Sequence, residues 1–169
     1  MTCCDIADTR ELRHVLSAFV TGVAVVTTAD ANGGWHGLTV NSFASVSLSP
    51  PLVLWSQSLT APSYPVFRAC ERFAVNILAE SQAEISQRFA GGRPDKFDGI
   101  GLRLGLGGVP LLEACAAQLE CAKFTAYAGG DHTVFLGRVE RSWRSERAPL
   151  AFANGRYVKL ASNPGSPAR

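Results

Sequence analysis

The chain has 169 residues, of which 47% are hydrophobic and 18% are charged, and its formal net charge is +2. This length predicts a single domain over residues 1–169, with a core at about 12–160 and a flexible tail at 161–169. The basic residues are scattered, which does not favour a nucleic-acid-binding face. The first residues resemble neither a signal nor a transit peptide, and no segment approaches the roughly 20 apolar residues that span a bilayer. We therefore expect a cytoplasmic protein.

The cysteines are irregularly spaced and odd in number, which is typical of free thiols in a reducing compartment. They are Cys3, Cys4, Cys70, Cys115 and Cys121. On one extended strand, Cys115 and Cys121 would lie about 20 Å apart, too far to bind the same ion. No metal site is predicted.

The first predicted element is a helix that begins at a Thr9 cap. Four apolar residues follow at the spacing of one helix face, which predicts that this face is buried. They are Leu12, Val15, Leu16 and Phe19.

Most of the remaining chain is predicted to form strands connected by hairpins. One hairpin turns at Asn32-Gly33-Gly34 and another around Ala128-Gly129-Gly130-Asp131, and the segments PLAF and GRYVKL are expected to complete the sheet. The other predicted strands are Val23–Ala29, Trp35–Val40, Ser42–Leu48, Leu52–Ser56 and Phe73–Ala79, and the other predicted helices are Tyr64–Cys70 and Glu80–Ala90. The fold class is therefore mainly β, a closed or split antiparallel barrel with few helices, since closure removes exposed strand edges.

Two further segments bear on ligand binding. The glycine-rich stretch 99–110 contains no G-x-G-x-x-G and is followed by no helix, so it is predicted to be a loop and not a dinucleotide fingerprint. Asn76 interrupts an apolar strand, and a buried amide needs partners. Either neighbouring protein groups or a ligand must satisfy it.

The stretch Gly37 to Ser58 offers an unusual number of hydroxyl and amide side chains between two apolar strands. Such side chains compete for backbone hydrogen bonds and favour turns and caps over core strands. Their concentration here indicates a surface that donates hydrogen bonds to a polar ligand, such as a phosphate or the edge of a flavin. No G-x-S-x-G elbow is present, so hydrolysis by an activated serine has little support.

Several separated motifs together resemble the flavin reductase family. They are GVAVVTT, GLTVNSFASVSLSPPLVLWSQS, FAVNILAESQAEISQRFA, DKFDG and GDHTVFLGRV, and the resemblance covers roughly residues 12–160. It implies an FMN-binding split β-barrel with a few short flanking helices. It also implies an NAD(P)H:flavin oxidoreductase that reduces FMN, or FAD, and supplies reduced flavin to a separate oxygenase component. A homodimer is expected, which would also account for part of the apolar surface.

The resemblance further implies site residues. Along the flavin it places Thr39, Val40, Asn41, Ser42, Ser45, Val46 and Ser47, and near its phosphate Ser56, Gln57, Ser58 and Ser63. Asn76, Phe89 and Tyr157 are further candidates for cofactor contact, and His132 is the candidate catalytic residue beside the nicotinamide. Many family members carry a basic residue in the phosphate loop, but here none lies between Gly37 and Arg68, so Arg88 is the candidate for charge compensation.

Hydride transfer through a bound flavin needs few acid/base pairs, because the cofactor carries the chemistry. Three alternatives remain open at this point. One is a flavoprotein of the same barrel that keeps its FMN and reduces another acceptor. Another is a non-enzymatic FMN-binding module, and the third is a small nucleic-acid-binding barrel, which would need aromatic platforms in a basic groove. The sequence does not indicate whether the protein uses NADH or NADPH.

Overall fold

The structure is a computed structural model that describes residues 8–161. Its helices are α1 (Thr9–Leu16), α2 (Tyr64–Ala69) and α3 (Ala83–Ala90), the last preceded by a 3₁₀ turn at Glu80–Gln82. Its first strands are β1 (Thr21–Gly22), β2 (Ala24–Ala29), β3 (Trp35–Val40), β4 (Ala44–Leu48), β5 (Pro51–Ser58) and β6 (Arg72–Ile77). The others are β7 (Leu102–Leu104), β8 (Pro110–Leu112), β9 (Ala117–Gly129), β10 (His132–Arg144), β11 (Ala151–Ala153) and β12 (Arg156–Val158).

One antiparallel sheet organises the molecule, in the strand order β3-β2-β6-β9-β10-β5-β4. The sheet curls so that β3, at one edge, contacts β5 near the other. Ser42, in the connection between β3 and β4, is hydrogen-bonded to the backbone of Ser56 on β5. This contact links the segment that follows β3 to β5. The predicted mainly β, antiparallel fold is confirmed, and both predicted hairpins form.

An aromatic cluster fills the concave side of this sheet. Trp55 on β5 stacks on Phe135 of β10 with ring centroids 4.8 Å apart, and Phe67 and Phe73 meet Trp55 edge-on. All four side chains are buried. Burying each aromatic side chain stabilises the fold by about 1.5–3 kcal/mol, so this cluster holds β5 and β10 in place behind the hydroxyl-rich segment.

The predicted burial of the first helix is wrong for the single chain. Asp8, not Thr9, is the N-cap, because its carboxylate accepts hydrogen bonds from the amides of Arg10 and Glu11. The apolar stripe then faces outward, and Phe19, for example, is 77% exposed. No residue of α1 is buried among the described residues, and the Asn154 amide donates to the carbonyl of Ser17 at the end of the helix.

Two assignments in the second half of the chain also differ from prediction. The stretch 99–110 is not a plain loop, because β7 within it pairs with β8, whose Leu111 and Leu112 are buried in the core. The segments PLAF and GRYVKL do form strands, but in a separate three-stranded sheet, in which β11 pairs with β1 on one side and with β12 on the other. Tyr157 on β12 reaches Ser86 of α3 with its hydroxyl.

Cys70, Cys115 and Cys121 are free thiols, as predicted, and Cys3 and Cys4 lie outside the described residues. Burial raises the pKa of Cys115 and of Cys121 to about 12, which leaves both as unreactive thiols at neutral pH. Most of the predicted tail lies outside the described residues. Within residues 8–161, no helix has the length and apolar character needed to cross a membrane.

Candidate functional site

A groove runs along β3, between α3 and the loop that follows β5, and consists of two adjoining cavities that share Ala90. The first, of about 430 Å³, we call the basic cavity. It is lined chiefly by Trp35, His36, Ser63, Arg93, Lys96 and Phe97. The second, of about 300 Å³, we call the tyrosine cavity, and it is lined chiefly by Thr39, Val40, Asn41, Ser86, Phe152 and Tyr157.

Three elements meet at Ser86 in the wall of the tyrosine cavity. The Thr39 hydroxyl on β3 donates to the Ser86 carbonyl over 2.6 Å, and the Tyr157 hydroxyl on β12 donates to Ser86 Oγ over 2.8 Å. Both hydroxyls are thereby held at fixed positions along the cavity, with oxygen lone pairs free to accept from a ligand. Asn41 follows β3 and is exposed. The predicted residues Thr39, Val40, Asn41 and Tyr157 are thus brought together, and Ser86 was missed.

Ser42, which follows β3, forms hydrogen bonds within the protein. Its hydroxyl donates to the Ser56 carbonyl over 3.1 Å and accepts from the Ser56 amide over 3.0 Å. This side chain replaces a missing backbone pair where β3 turns into β4. The Ser42 hydroxyl is thus already hydrogen-bonded to Ser56, and a flavin in contact with Ser42 would have to share that hydroxyl with the Ser56 backbone.

β4 forms an edge of the seven-stranded sheet and pairs only with β5 among the described strands. The pairing is shifted between Ser45 and Ser47, which places a bulge at Val46. A bulge leaves an extra residue out of the ladder, and an edge strand leaves backbone groups without a strand partner. The predicted use of backbone amides at these three residues is compatible with this geometry.

The predicted phosphate residues separate into two groups. Ser63 lines the basic cavity, whereas Ser56 and Ser58 lie half-buried on β5 and line neither cavity. Gln57 is 1% exposed, and its Nε2 donates to Ser63 Oγ over 3.0 Å. Gln57 lies behind Ser63, where it occupies an acceptor position and leaves the Ser63 O–H free to donate. It lines neither cavity, and its direct contact with a cofactor stays a prediction.

Asn76 lies in the core. Its Nδ2 donates to the Val25 carbonyl and to Thr27 Oγ1, and its Oδ1 accepts from the Leu112 amide and from Gln118 Nε2, all within 2.9–3.1 Å. The side chain is fully buried. No hydrogen-bonding position remains for a ligand, so the predicted cofactor contact is contradicted and the protein-partner alternative holds.

Phe89 and Arg88 on α3 also differ from the predicted roles. Phe89 is 1% exposed and packs edge-on against Phe97, with its ring beneath Gly37. A Cβ at Gly37 would lie 2.7 Å from that ring, so Phe89 supports β3 from below and lines neither cavity. Arg88 donates to the Asp98 carbonyl over 2.7 Å and likewise lines neither cavity.

Lys96 is a cation in the wall of the basic cavity. Its Nζ donates to the carbonyls of Gly37 and Phe89, each over 3.2 Å, and among residues 8–161 no carboxylate forms an ion pair with it. Burial lowers the pKa of this amine, and a nearby anion would favour its charged form. The motif DKFDG contains Lys96, but nothing in its spacing indicated that the side chain reaches back to β3.

The other charged groups of the basic cavity are paired. His36 Nε2 lies 2.9 Å from Asp30 Oδ2, and this hydrogen bond, together with the Gly34 amide, lowers the pKa of Asp30. Arg93 forms a two-pronged ion pair with Asp95. Lys96 is therefore the cation of this cavity whose charge is not neutralised by a described carboxylate.

His132 stands at the tip of the long hairpin, opposite Ser58 in the β5–β10 pairing. Its Nδ1 lies 2.7 Å from Asp131 Oδ1, and this hydrogen bond lowers the pKa of Asp131. A neutral imidazole that donates from Nδ1 to the carboxylate presents Nε2 as an acceptor. His132 lines neither cavity, so within one chain the structure does not bring it together with Tyr157.

Comparison with known proteins places this geometry in a family. A flavin reductase like domain matches residues 16–161. The chain belongs to this family. It is 40% identical to the FMN reductase (NADH) SmoA of Agrobacterium fabrum over 155 residues, which are 91% of this chain and 87% of that protein. It is also 40% identical to an NADH-dependent flavin reductase of a Rhodococcus species, over 88% of this chain and 85% of that protein.

Solved structures agree with this membership. The NADH:FAD oxidoreductase SgcE6 of Streptomyces globisporus, in complex with NAD and FAD fragments, superposes with a TM-score of 0.93 at 39% identity, over 98% of this chain and all of that one. Some relatives are longer, since the chain spans only 49% of a probable flavin reductase of Rhizobium meliloti and 52% of a related Sinorhizobium meliloti structure. The family predicted from the sequence motifs is confirmed.

Proposed function

We propose that this protein transfers a hydride from NADH to FMN or FAD and supplies the reduced flavin to a separate monooxygenase. The observation that carries the proposal is the groove along β3 in a member of the flavin reductase family. Its walls offer neutral donors and acceptors, and a cation, Lys96, that has no carboxylate partner among residues 8–161. Relatives named as reductase subunits of monooxygenases support the oxygenase partner. One of them is the reductase subunit HsaB of Mycobacterium tuberculosis, at 37% identity.

The residues of the groove fit a flavin nucleotide. A bound flavin supplies the two-electron hydride acceptor. In our proposal Thr39 and Asn41 orient its ring system along β3, and backbone groups of Ser45 to Ser47 on the open edge pair with its polar rim. Ser63 and Lys96 bind the phosphate, because a hydroxyl that Gln57 leaves free to donate and an unpaired ammonium match a phosphate dianion.

Two residues are proposed for the nicotinamide, and because one chain does not bring them together, one of them would come from the second copy of a homodimer. Tyr157 holds its hydroxyl at the tyrosine cavity through Ser86. His132 presents Nε2 at the hairpin tip, where it is suited to accept a hydrogen bond from the carboxamide N–H. Neither residue exchanges a proton with the reacting carbon, since hydride transfer needs the two rings held face to face.

His132→Ala is expected to raise the KM for NADH about tenfold, the loss of one hydrogen bond of about 1–1.5 kcal/mol, with the Kd for FMN unchanged. Steady-state kinetics with varied NADH, alongside an FMN titration, measures both. The control is His14→Ala, which removes an exposed imidazole from α1 outside the groove. Wild-type kinetics for H132A would remove His132 from the site.

We also propose a cytoplasmic homodimer, in which a second copy covers the apolar residues exposed on this chain. They are Leu12, Val15, Leu16 and Phe19 on and after α1, and Val46 and Leu48 on the edge strand β4. Contiguous exposed apolar surface is typical of an interface. A second copy would bury the helix face that the sequence pattern indicated.

The test of the function is anaerobic. Protein is mixed with excess oxidised FMN and NADH, and the loss of oxidised-flavin absorbance is followed at several flavin-to-protein ratios. Bleaching of many flavins per protein is expected. Bleaching that stops at one equivalent would favour a tightly held flavin with another acceptor, and binding without bleaching would leave a flavin-binding module.

A further inference from the structure

The basic cavity has features that a flavin phosphate alone does not use. At about 430 Å³ it is the larger of the two cavities in the groove. A phosphate group has the size of a few water molecules, each of which occupies about 30 Å³. Most of the cavity therefore remains once a phosphate has been placed at Ser63 and Lys96.

Two aromatic side chains are part of its wall. Trp35, at the start of β3, is 41% exposed and meets Phe97 edge-on with ring centroids 5.8 Å apart. Phe97 in turn packs on the buried Phe89. Trp35 thus contacts Phe97 on one side and is open to solvent on another, so part of its ring is accessible to a ligand.

The charges near these rings suit a nucleotide. Lys96 lies in the same wall without a carboxylate partner among residues 8–161, and Arg93 has guanidinium N–H groups that its ion pair with Asp95 does not use. An aromatic platform beside cationic donors is the arrangement that binds a base together with its phosphate.

We propose that the basic cavity binds the adenylate end of a dinucleotide, with the adenine against Trp35. This inference rests on the proposed function, because it extends the same groove. FAD and NADH both carry an adenylate. FAD is the favoured source, since Ser63 and Lys96, which we assign to the flavin phosphate, line the same cavity as Trp35.

The test compares ligands that differ only by the adenylate. Wild-type protein is expected to bind FAD about tenfold more tightly than FMN, because stacking of a base on an aromatic side chain contributes on that order. In Trp35→Ala the Kd for FAD rises about tenfold to match that for FMN, whose own Kd is unchanged, and Trp35→Phe restores most of the difference. If NADH is the source, W35A instead raises the KM for NADH about tenfold with FMN as acceptor.

Trp143→Ala is the matched control, since Trp143 is also a partly exposed strand tryptophan and stacks on Arg103 outside the groove. ADP serves as a probe that does not depend on flavin, and calorimetry should detect binding to wild type and to W143A but not to W35A. The inference is overturned if W35A leaves ADP binding, the FAD to FMN ratio and the KM for NADH at wild-type values, or if it weakens FMN and FAD equally. Absence of flavin reduction with retained, Trp35-dependent ADP binding would overturn the proposed function and leave the adenylate site standing.

Discussion

Lys96→Met is expected to raise the Kd for FMN about 10- to 100-fold while leaving the Kd for riboflavin unchanged. A hydrogen bond to a charged group contributes about 1.5–3 kcal/mol, and each 1.4 kcal/mol is about a factor of ten in affinity. The ammonium has no carboxylate partner in the described structure, so a phosphate would gain the full charge-assisted contact. Fluorescence titration with both flavins measures the difference.

Riboflavin is the internal control for this variant. Lys96 also bonds the carbonyls of Gly37 and Phe89, so its removal has a structural cost that would act on both flavins alike. Only the phosphate contact separates FMN from riboflavin. Equal weakening of the two would show that Lys96 supports β3 and does not bind phosphate. Arg88→Met, which removes a cation of α3 that lines neither cavity, should leave both Kd values near wild type.

Local patterns predicted the elements of this fold well. Both hairpins were indicated by glycine turns between β-branched runs, and positive φ angles at Gly33 and Gly130 show why glycine stands there. The bulk of the sheet follows from such short-range signals. The pairing of β7 with β8 did not, because it is stabilised by burial of Leu111 and Leu112 under the sheet, a long-range effect.

The apolar stripe of α1 illustrates a different limit. Spacing such as that of Leu12, Val15 and Leu16 indicates that one face of a helix is buried, but it does not say by which chain. In the single chain these side chains are exposed. The spacing predicts a face suited to burial, and among residues 8–161 nothing buries it.

The candidate site residues came from family resemblance. The structure places four of them, Thr39, Asn41, Ser63 and Tyr157, in the walls of the two cavities, and their contact with a cofactor stays a prediction. The sequence did not show that Gln57 points inward. Which face of a strand is buried depends on the register of its pairing with the neighbouring strands. The contact between Lys96 and the Gly37 carbonyl on β3 joins residues far apart in the sequence, and residue spacing does not predict such a contact.

Asn76→Ala is expected to lower the free energy of unfolding by about 2–4 kcal/mol without changing the Kd for FMN of the folded protein. The amide connects β2, β8 and β9 to its own strand, β6, through four hydrogen bonds. Its loss leaves the buried Leu112 amide without that partner, at about 1–3 kcal/mol, and opens a small cavity that adds to the cost. Urea denaturation, with FMN titration below the transition, measures both quantities.

Asn41→Ala is the matched control, because Asn41 is an exposed asparagine that lines the tyrosine cavity. It should show the opposite pattern, with stability within about 0.5 kcal/mol of wild type and weaker FMN binding. Both asparagines were cofactor candidates in the sequence, and burial separates them. If N76A kept wild-type stability and lost FMN binding, the amide would belong to the cofactor site, and the four core hydrogen bonds would not account for its presence.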